Sequence, residues 1–435
     1  MRSARLIPAF LAISCLLVSL AGCTVNPVTG ESQLSIMSPA QEVALGKKNY
    51  LPSQQAQGGR YSVDPELTLY VNQVGQKLAA LSDRPKLPYE FVVLNNGVPN
   101  AWALPGGKIA INRGLLLELE DEAQLAAVLS HEIVHAAARH GATQMTQQLL
   151  LGVGAQVIGI ATQNSNYGEL AATGAQLGAA AWQARYGREQ ELEADSYGMA
   201  YMGRAGYDPK AAVELQQTFV RLSQHRQSDW LQGLFASHPP SQQRVEANRA
   251  KAAQLPSGKR NRSQFQKAIA QLKQDKPAYE TYEKAVEAAS KESYDEALNL
   301  ASKSTQLQPA EPLFWEIKGA LHGKKKQYQS ALSAYGRAIA ANPEYFAPHL
   351  RRGLLHLKME NTDAAEKDLN TSLQYLPTQI ANYHLGIIAM EKSDKQGATR
   401  HLQQAAQGGG EIGQAAQEAL TKLYPPAQQQ QRQAQ

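Results

Sequence analysis

Residues 121–140 read DEAQLAAVLSHEIVHAAARH, and this stretch decides the fold of the first half of the chain. Its apolar residues recur at helical spacing, which predicts an amphipathic helix over residues 121–148. On such a helix His131 and His135 share one face and can bind one metal ion, while Glu132 lies beside them. Two imidazoles and a carboxylate favour Zn²⁺, so the sequence predicts one zinc ion per chain.

A zinc ion held by two helical histidines supports hydrolysis when a third protein ligand leaves one position open. The ion lowers the pKa of its water and polarises a carbonyl group. Glu132 would then act as the general base, taking a proton and passing it to the leaving amine. The pattern therefore predicts a metallopeptidase, and a solvated histidine pair on a helix is the alternative reading.

The third ligand is predicted in the acidic stretch Glu191-Leu192-Glu193-Ala194-Asp195. Glu191 and Asp195 lie one turn apart on one helical face, so Glu191 is the predicted ligand. Asp195 can accept a hydrogen bond from a liganding imidazole, which fixes the orientation of that ring. Glu193 points elsewhere and is expected to be solvated. Without a metal nearby, the stretch would read as an ordinary acidic helix.

A small β-sheet is predicted ahead of the motif helix. Residues 89–94 form a β-rich run that ends in an Asn-Asn-Gly turn signal, and residues 101–104 and 108–112 flank a Pro-Gly-Gly turn. Trp102, Ala103 and Leu104 would form an edge strand over the metal. An extended substrate could pair with that edge through its backbone, which favours unfolded segments over a strict sequence. Coverage of the edge by the chain's own loops is the alternative.

The N-terminus has the order of a secretory signal. Two arginines precede an apolar stretch at residues 6–20, and Leu-Ala-Gly-Cys follows, ending at Cys23. The small residues before the cysteine resemble a lipobox, which predicts cleavage after residue 22 and lipidation of Cys23. Thr24 resembles a sorting residue for the outer membrane. An ordinary signal peptide with a chance cysteine is the alternative.

The composition argues against a disulfide-stabilised protein, a nucleic-acid-binding protein and a protein with membrane-spanning helices. The two cysteines are Cys15 and Cys23, so the mature chain would hold no disulfide. The net charge of +5 is spread along the chain, which predicts no nucleic-acid partner. After the signal, no stretch is long and apolar enough to span a bilayer. Residues 149–161 come closest and are predicted to form a buried or interfacial helix, and the dense Gly and Ala residues from 152 to 181 a mobile loop.

The C-terminal part repeats with a period of 34 residues. The repeated positions are Ala297, Ala331 and Ala365, then Pro309, Pro343 and Pro377, then Gly319 and Gly353, with Gly386 one residue short. This period resembles the tetratricopeptide repeat, and four units are predicted at about 278–309, 312–343, 346–377 and 379–411. Such an array offers a concave groove for a peptide or partner protein, and packing onto the first domain is the competing role.

Several motifs together resemble one family, the gluzincin group that contains the CAAX prenyl endopeptidases and bacterial membrane-quality-control peptidases. They are His131 to His135 with Arg139-His140, Glu191 to Asp195, Asn100 to Gly107, and Ser237 to Pro240 with Arg244. The resemblance covers residues 61–262 and extends further when the export signal and the repeats are included. This family's transmembrane members cleave within or beside membranes, whereas this chain is expected to work in the aqueous periplasm.

The resemblance implies a role for each motif residue. His131, His135 and Glu191 would bind zinc, with Glu132 as the general base. His238 corresponds to a regulatory histidine that can cap the open position of the metal, and a loop histidine held by two prolines is the equal alternative. Arg244 would pair with an acidic residue or steady a substrate carbonyl, and an ordinary helix-surface arginine is its alternative.

The predicted fold is mostly α, with an α+β gluzincin metallopeptidase domain followed by an α-solenoid of tetratricopeptide repeats. The predicted segments are a lipoprotein signal peptide (1–22), an N-terminal tether and first helix (23–60), the peptidase domain (61–262), the repeat array (275–424) and a disordered Gln-rich tail (425–435). A polar tether over residues 24–38 would join the lipid to the first helix.

The predicted function is a zinc endopeptidase in the bacterial periplasm, lipid-anchored to the outer membrane. By resemblance, its substrates would be misfolded or stalled outer-membrane proteins, and its partner through the repeats would be the barrel-assembly machinery. An adaptor or chaperone role of the repeats, with a latent or structural metal site, is the second hypothesis.

Overall fold

A computed structural model describes residues 23–150, 186–225 and 232–424. Most of these residues are helical, and two small sheets lie in the first part of the chain. The fold is therefore an α+β domain followed by an α-solenoid, as predicted. Among the described helices, none has the length and hydropathy that crossing a membrane requires. The predicted signal peptide, the whole Gly- and Ala-rich segment and the Gln-rich tail lie outside the described residues.

The segment predicted as a tether forms a β-hairpin instead. Strand β1 (Cys23–Val25) pairs antiparallel with strand β2 (Ser32–Leu34). Gly30, at φ +78°, closes the turn between them. The hairpin lies against the peptidase domain, so the prediction of a free tether was wrong. The run is too short to show strand alternation in the sequence, and contacts from residues more than 100 positions away fix it.

Two helices follow, and their first residues explain where they begin. Helix α1 (Pro39–Ala56) starts at a capping box in which the Ser38 side chain accepts from the backbone of Gln41. Helix α2 (Pro65–Ala79) is capped by Asp64, and its apolar face is buried against the sheet. These two helices pack on the strands of the central sheet.

The central sheet has the strand order β3 (Glu90–Leu94), β5 (Lys108–Asn112) and β4 (Ala101–Leu104). Strands β3 and β5 are parallel, while β4 and β5 form an antiparallel hairpin. The bounds of β4 and β5 are the predicted ones, because Gly106 and Gly107 adopt positive φ and turn the chain between them. Strand β4 is therefore an edge strand of this sheet, as predicted.

The motif helix is shorter than predicted. After the short helix α3 (Arg113–Leu116), helix α4 (Glu122–Ala137) ends where Arg139 adopts the left-handed conformation with φ +67°, and helix α5 (His140–Leu150) begins again. The buried Arg139 forms an ion pair with Glu42 and donates to the carbonyl of Met37. These tertiary contacts fix the break, because the Ala-rich sequence itself favours a continuous helix.

Four further helices lie among the described residues 186–225 and 232–252. They are α6 (Arg188–Arg204), α7 (Lys210–His225), α8 (Gln232–Ser237) and α9 (Gln242–Ala252). Helix α6 packs along the motif helix α4, and this pair carries the functional site. The basic stretch after α9 is docked on the domain, since Arg260 pairs with Asp121 and Glu214.

The C-terminal part consists of paired antiparallel helices. Two short connecting helices, α10 (Arg262–Ala268) and α11 (Ala270–Gln274), lead into the array. The pairs are α12 (Lys276–Ser290) with α13 (Tyr294–Leu307), α14 (Pro312–Lys324) with α15 (Tyr328–Ala341), α16 (Phe346–Lys358) with α17 (Thr362–Tyr375), and α18 (Gln379–Glu391) with α19 (Lys395–Ala406). A final helix, α20 (Gly410–Leu423), covers the last pair.

The repeated glycines lie where the two helices of a pair approach most closely. A Cβ atom at Gly319, Gly353 or Gly386 would meet Tyr335, Leu369 or Leu402 of the partner helix at 2.6–3.0 Å. Gly386 serves the same packing as the others, although its spacing in the sequence is one residue short. The repeat pattern therefore has a direct steric cause.

The repeat array also docks onto the peptidase domain. Glu311 is fully buried and accepts from the Asn95 amide at 2.7 Å and from the Tyr279 hydroxyl. Further along, Gln55 bonds the backbone of Glu344 and Phe346 at 2.9 Å each. The starts of the second and third helix pairs thus contact the side of the domain formed by α1 and the end of β3.

Candidate metal centre

Helices α4 and α6 place the predicted ligands opposite one another. His131 and His135 project from α4, and Glu191 lies in the first turn of α6. Gly198 lets the two helices approach, because a Cβ atom there would lie 3.2 Å from the backbone nitrogen of His131. The close helix packing brings the carboxylate of one helix to the imidazoles of the other.

Four candidate ligands converge on one point. His131, His135, Glu191 and His238 each offer a donor atom, and these atoms all lie within 4.8 Å of one another. The two Nε2 atoms of His131 and His135 are 3.0 Å apart, and Glu191 oxygens lie 3.5 and 3.3 Å from them. Of the residues that the structure describes, this is the one such group of histidine, cysteine and carboxylate side chains.

The spacing of these atoms fits a zinc ion. Ligands at the usual zinc distances of about 2.0–2.1 Å occupy corners of a tetrahedron whose edges are about 3.4 Å long. His135 Nε2 lies 3.0 Å from His131 Nε2 and 3.3 Å from Glu191 Oε1, and the other oxygen of Glu191, Oε2, lies 3.5 Å from His131 Nε2. Two imidazole nitrogens that face each other this closely are stabilised when a cation lies between them. The residues present therefore fit a tetrahedral metal.

His238 lies at the fourth corner of the group. Its Nδ1 atom is 2.9 Å from Glu191 Oε1 and 3.2 Å from His131 Nε2, and its Nε2 atom is 3.5 Å from Glu132 Oε1. The side chain is buried and follows the short helix α8, whose Leu234 carbonyl accepts from the His238 backbone. His238 Nδ1 thus lies close enough to the other donor atoms to be a fourth candidate ligand.

Glu132 lies beside the ligands with unused hydrogen-bonding capacity. Its Oε2 atom is buried and has no hydrogen-bond partner among the described residues. Burial raises the pKa of this carboxyl above its ordinary value, and the nearby His238 and His131 act in the opposite direction. A carboxyl that prefers its neutral form more than usual is suited to holding a proton between two steps of a reaction.

Asp195 and Arg244 form a rigid support behind His131. Asp195 Oδ1 lies 2.9 Å from His131 Nδ1, so the ring can donate that proton and present Nε2 to a metal. Arg244 donates to both oxygens of Asp195 at 2.7 Å and forms an ion pair with Glu191 at 2.6 Å. It is buried, so the alternative of a helix-surface arginine is wrong.

His135 has a second hydrogen-bond chain that sequence reasoning missed. Its Nδ1 atom lies 2.8 Å from Nδ1 of His140, whose Nε2 is 3.4 Å from Glu193 Oε1. Asn26 of the N-terminal hairpin donates to that same oxygen at 2.8 Å. Glu193 is therefore bonded and partly buried, and the prediction that it is solvated was wrong. Neither partner is visible in the spacing of the acidic stretch.

Tyr186 is a second residue that sequence reasoning missed. Its ring stacks on the imidazole of His135, with centroids 3.7 Å apart and an interplanar angle of 17°. No spacing in the sequence links this tyrosine to the motif. Stacking on a liganding ring restricts its rotation, so Tyr186 is a positioning residue.

The pKa values of His131 and His135 are shifted in opposite directions. Burial disfavours a protonated His131, but Glu191 and Asp195 outweigh it and raise the pKa to about 10. Burial lowers the pKa of His135 well below its usual value. The pKa of Asp195 is lowered, because Arg244 outweighs the opposing effect of burial. Glu191 and Asp195 therefore favour positive charge beside these imidazoles, next to the buried guanidinium of Arg244.

An apolar pocket of about 50 Å³ opens beside the ligands. His131, Glu132 and His238 lie at its polar end. Its apolar wall includes Val128, Met199, Met202, Leu215, Phe219 and Leu234. The wall is made of large flexible side chains, so the pocket can hold a bulky apolar group next to the reacting atoms.

A second pocket, of about 10 Å³, lies on the other side of His135. Ala103 and Leu104 of the edge strand line it together with Tyr186. Ala103 and Leu104 are buried, and Trp102 is half-buried and bonds Gln57 at 3.1 Å. The edge strand thus borders the metal group, and Tyr186 lies beside it.

The predicted site residues divide into those that meet and those that lie apart. The residues that meet at one centre are His131, Glu132, His135, Glu191, Asp195, His238 and Arg244. Trp102 to Leu104 lie at its margin. Cys23 lies outside the centre, at the start of the hairpin that reaches Glu193 through Asn26.

Comparison with known proteins agrees with this centre. Residues 65–252 match the profile of Peptidase family M48. The β-barrel assembly-enhancing protease of Escherichia coli is 32% identical over 236 residues, covering 53% of this chain and 47% of that protein. The mitochondrial metalloendopeptidase OMA1 of Schizosaccharomyces pombe is 32% identical over 182 residues, covering 41% of this chain and 51% of its own length. The chain thus spans about half the length of these relatives.

Proposed function

We propose, from the premise that residues 65–252 form a peptidase family M48 domain, that this chain is a zinc endopeptidase of the bacterial envelope. The observation that carries the proposal is the convergence of His131, His135 and Glu191 at tetrahedral spacing, with the carboxylate of Glu132 beside them. This arrangement unites three metal ligands with a carboxylate that can move a proton.

Each residue around the metal has a distinct task. Zinc, when bound, supplies the Lewis acid that polarises the scissile carbonyl and activates water. Glu132 takes a proton from the water and delivers it to the leaving nitrogen, which its raised pKa favours. Asp195 accepts the Nδ1 proton of His131, and Arg244 holds both Asp195 and Glu191 in place.

The substrate is an extended, apolar polypeptide. Strand β4 lies at the edge of its sheet, where a substrate strand laid along it would pair with its backbone, as in strand addition at other sheet edges. The apolar pocket beside Glu132 accepts one large apolar side chain. Both features suit unfolded segments whose apolar residues are accessible, and they place little weight on a strict sequence.

The sequence and the names of similar proteins support a proposal for the cellular location and the partners. The lipobox ending at Cys23 predicts a lipid-anchored periplasmic protein, with Thr24 favouring the outer membrane. Relatives in Escherichia coli and Vibrio cholerae are named β-barrel assembly-enhancing proteases. We propose misfolded or stalled outer-membrane proteins as substrates, and the barrel-assembly machinery as the partner that the repeats bind. The repeats would also assist assembly as a chaperone.

The free enzyme is self-restrained by His238. This side chain lies 3.2 Å from His131 Nε2 and 2.9 Å from Glu191, where it can take the fourth position on the metal. Replacing His238 by alanine opens that position and retains the side chains of the other three candidate ligands. We therefore expect His238→Ala to hydrolyse an unfolded protein several-fold faster than the wild type.

The test compares wild type, Glu132→Gln and His238→Ala for metal content and for hydrolysis of casein, an unfolded protein. Glu132→Gln keeps the ligands and should retain one zinc per chain, but lose hydrolysis by about two orders of magnitude or more. If all three proteins bind zinc and none of them hydrolyses casein, the proposal of a peptidase is contradicted.

An adaptor function of the repeats is the second candidate. The repeat array that is docked on the first domain is the observation that favours it. In cells lacking the protein, Glu132→Gln should fail to restore barrel assembly if hydrolysis is required. Full restoration by Glu132→Gln would assign that role to the repeats alone.

A further inference from the structure

The N-terminal hairpin is held firmly against the peptidase domain. Arg139 donates to Thr24 Oγ1 at 2.6 Å, and the Gln33 amide donates to the Ala138 carbonyl at 3.0 Å. Beyond the hairpin, the backbone nitrogen of Ile36 donates to Thr146 Oγ1 at 3.1 Å. These contacts come from both strands and from the segment after them. The hairpin therefore moves with the domain.

The two faces of the hairpin differ in character. Thr24 and Gln33 are opposite one another in the strand register and both point to the protein. Because side chains alternate along a strand, Val25 and Leu34 point to the opposite face. Val25 is 58% exposed, Leu34 40% and Ile36 57%. Among the described residues, these three are half of the large apolar side chains that are exposed; the others are Leu51, Leu69 and Leu307.

The sequence before the hairpin indicates what lies against this face. The apolar run at residues 6–20 ends just before Cys23, where β1 begins and pairs with Leu34. An acyl chain on Cys23 would therefore place the bilayer at the strand that carries Val25. Exposed apolar side chains at a lipid attachment point gain free energy by entering the interface.

The hairpin is also close to the metal centre. Asn26 donates to Glu193, which lies two residues after the proposed ligand Glu191 in helix α6. No flexible spacer separates residue 24 from this contact. A lipid at residue 23 therefore fixes the distance between the bilayer and the site.

We propose that Val25, Leu34 and Ile36 form a membrane-docking face that inserts beside the lipid anchor and holds the metal centre at the bilayer surface. The proposal rests on the lipid anchor of the proposed function. It adds that the enzyme is oriented on the membrane and is not suspended from it by a tether. Substrates would be cleaved where they emerge at the membrane surface.

The test uses the full lipidated protein in vesicles of phosphatidylethanolamine and phosphatidylglycerol. Cys15 lies in the predicted signal peptide and Cys23 carries the lipid, so a cysteine introduced at Ile36 is the one free thiol for a polarity-sensitive fluorophore. The matched control carries the same probe at Leu307, which is 49% exposed in the repeat array. We expect blue-shifted emission and several-fold slower quenching by an aqueous reductant at Ile36→Cys, and neither change at Leu307→Cys.

Several outcomes would overturn the docking face. Equal quenching at both positions in protein that floats with the vesicles would show a tethered domain. Shielding of the Ile36 probe without vesicles would show that another part of the chain, or a second copy at high concentration, covers the face. Protein that does not float would remove the anchor and the docking together. Casein hydrolysis measured in detergent reports separately on the peptidase, so the two failures are distinguishable.

A functional readout completes the test. The triple variant Val25→Asp, Leu34→Asp and Ile36→Asp should cleave a vesicle-tethered peptide several-fold more slowly, while its casein hydrolysis stays unchanged. The control variant Leu69→Asp with Leu307→Asp carries the same kind of change at residues that are 51% and 49% exposed. It should alter neither activity. Equal loss of both activities in the triple variant would contradict the docking face.

Discussion

The hydrogen-bond partners of the metal ligands decide the chemistry at the scale of single residues. When Nε2 of His135 binds a metal, its Nδ1–H can donate to His140 Nδ1 at 2.8 Å, and His140 Nε2 lies 3.4 Å from Glu193 Oε1. His131 has a separate partner in Asp195. The two liganding rings are therefore oriented by independent chains, one of which ends in the N-terminal hairpin.

This arrangement predicts a loss of metal affinity when the chain behind His135 is cut. Loss of such a partner typically weakens metal binding about 10- to 100-fold. We expect His140→Ala to fall in that range and Glu193→Gln to have a smaller effect, measured by competition with a zinc chelator. His322→Ala, a histidine of the repeat array, is the control and should bind zinc as the wild type does. An unchanged affinity in His140→Ala would show that this chain does not support His135.

The convergence of the candidate ligands and the support of His131 by Asp195 could be predicted from the sequence, whereas the other supporting residues could not. His131 and His135 are fixed by helical spacing, and Glu191 with Asp195 by a second helical pair. Tyr186 and Asn26 reach the site through tertiary packing from elements that carry no motif. Glu193 was expected to be solvated because the helix face alone gives no sign of the hairpin that covers it.

The turn between β4 and β5 sets the edge strand at the scale of elements. Gly106 has φ +80°, and a Cβ atom there would lie 2.7 Å from the Cα of Val43 in helix α1. The glycine therefore meets two requirements, a left-handed backbone and close approach of a helix. The sequence predicted the turn from Pro-Gly-Gly, but not the helix that packs on it.

Two glycine substitutions separate these requirements. Gly206→Ala has nearly the same φ of +79° but open space around it, so we expect a loss of about 1 kcal/mol in the free energy of unfolding. Gly106→Ala adds the clash with helix α1 and should lose about 3 kcal/mol. Denaturant unfolding of both variants measures the difference. Equal losses would mean that α1 does not press on the turn.

The break at Arg139 shows why element bounds could not all be read from the sequence. Ala136, Ala137 and Ala138 favour a continuous helix, and a pattern-based prediction extends it to residue 148. The ion pair of Arg139 with Glu42, a residue 97 positions earlier, overrides that preference. Short strands β1 and β2 were missed for the same reason, since their partners lie far along the chain.

At the scale of the whole molecule, the repeat array and the peptidase domain meet at a buried carboxyl group. Glu311 accepts from Asn95, from Tyr279 and from the backbone of Leu313 at its own helix start. Burial raises its pKa above the ordinary carboxyl value, and the hydrogen bonds and Arg113 oppose that effect. The repeated pattern predicted the array, but this contact between domains has no sequence signal.

A raised pKa makes this contact sensitive to pH. The folded state holds the Glu311 proton more tightly than the unfolded state, so stability falls as the pH rises through the elevated pKa. Glu311→Gln keeps the oxygen that accepts from Asn95 and Leu313, turns an amide nitrogen to the Tyr279 hydroxyl, which can accept, and carries no charge. We therefore expect its melting temperature to exceed that of the wild type above this pKa, with the difference shrinking below it. Glu287→Gln is the control, because Glu287 forms an exposed ion pair with Lys291 on helix α12. A constant difference at every pH would exclude ionisation of Glu311 as the cause.

The most direct measurement is zinc anomalous scattering from crystals of the purified full-length protein. The account predicts one strong peak per chain, within coordination distance of the Nε2 atoms of His131 and His135 and an oxygen of Glu191, with His238 at the fourth position. No peak at this centre, or a zinc ion bound without Glu191, would contradict the proposed metallopeptidase site.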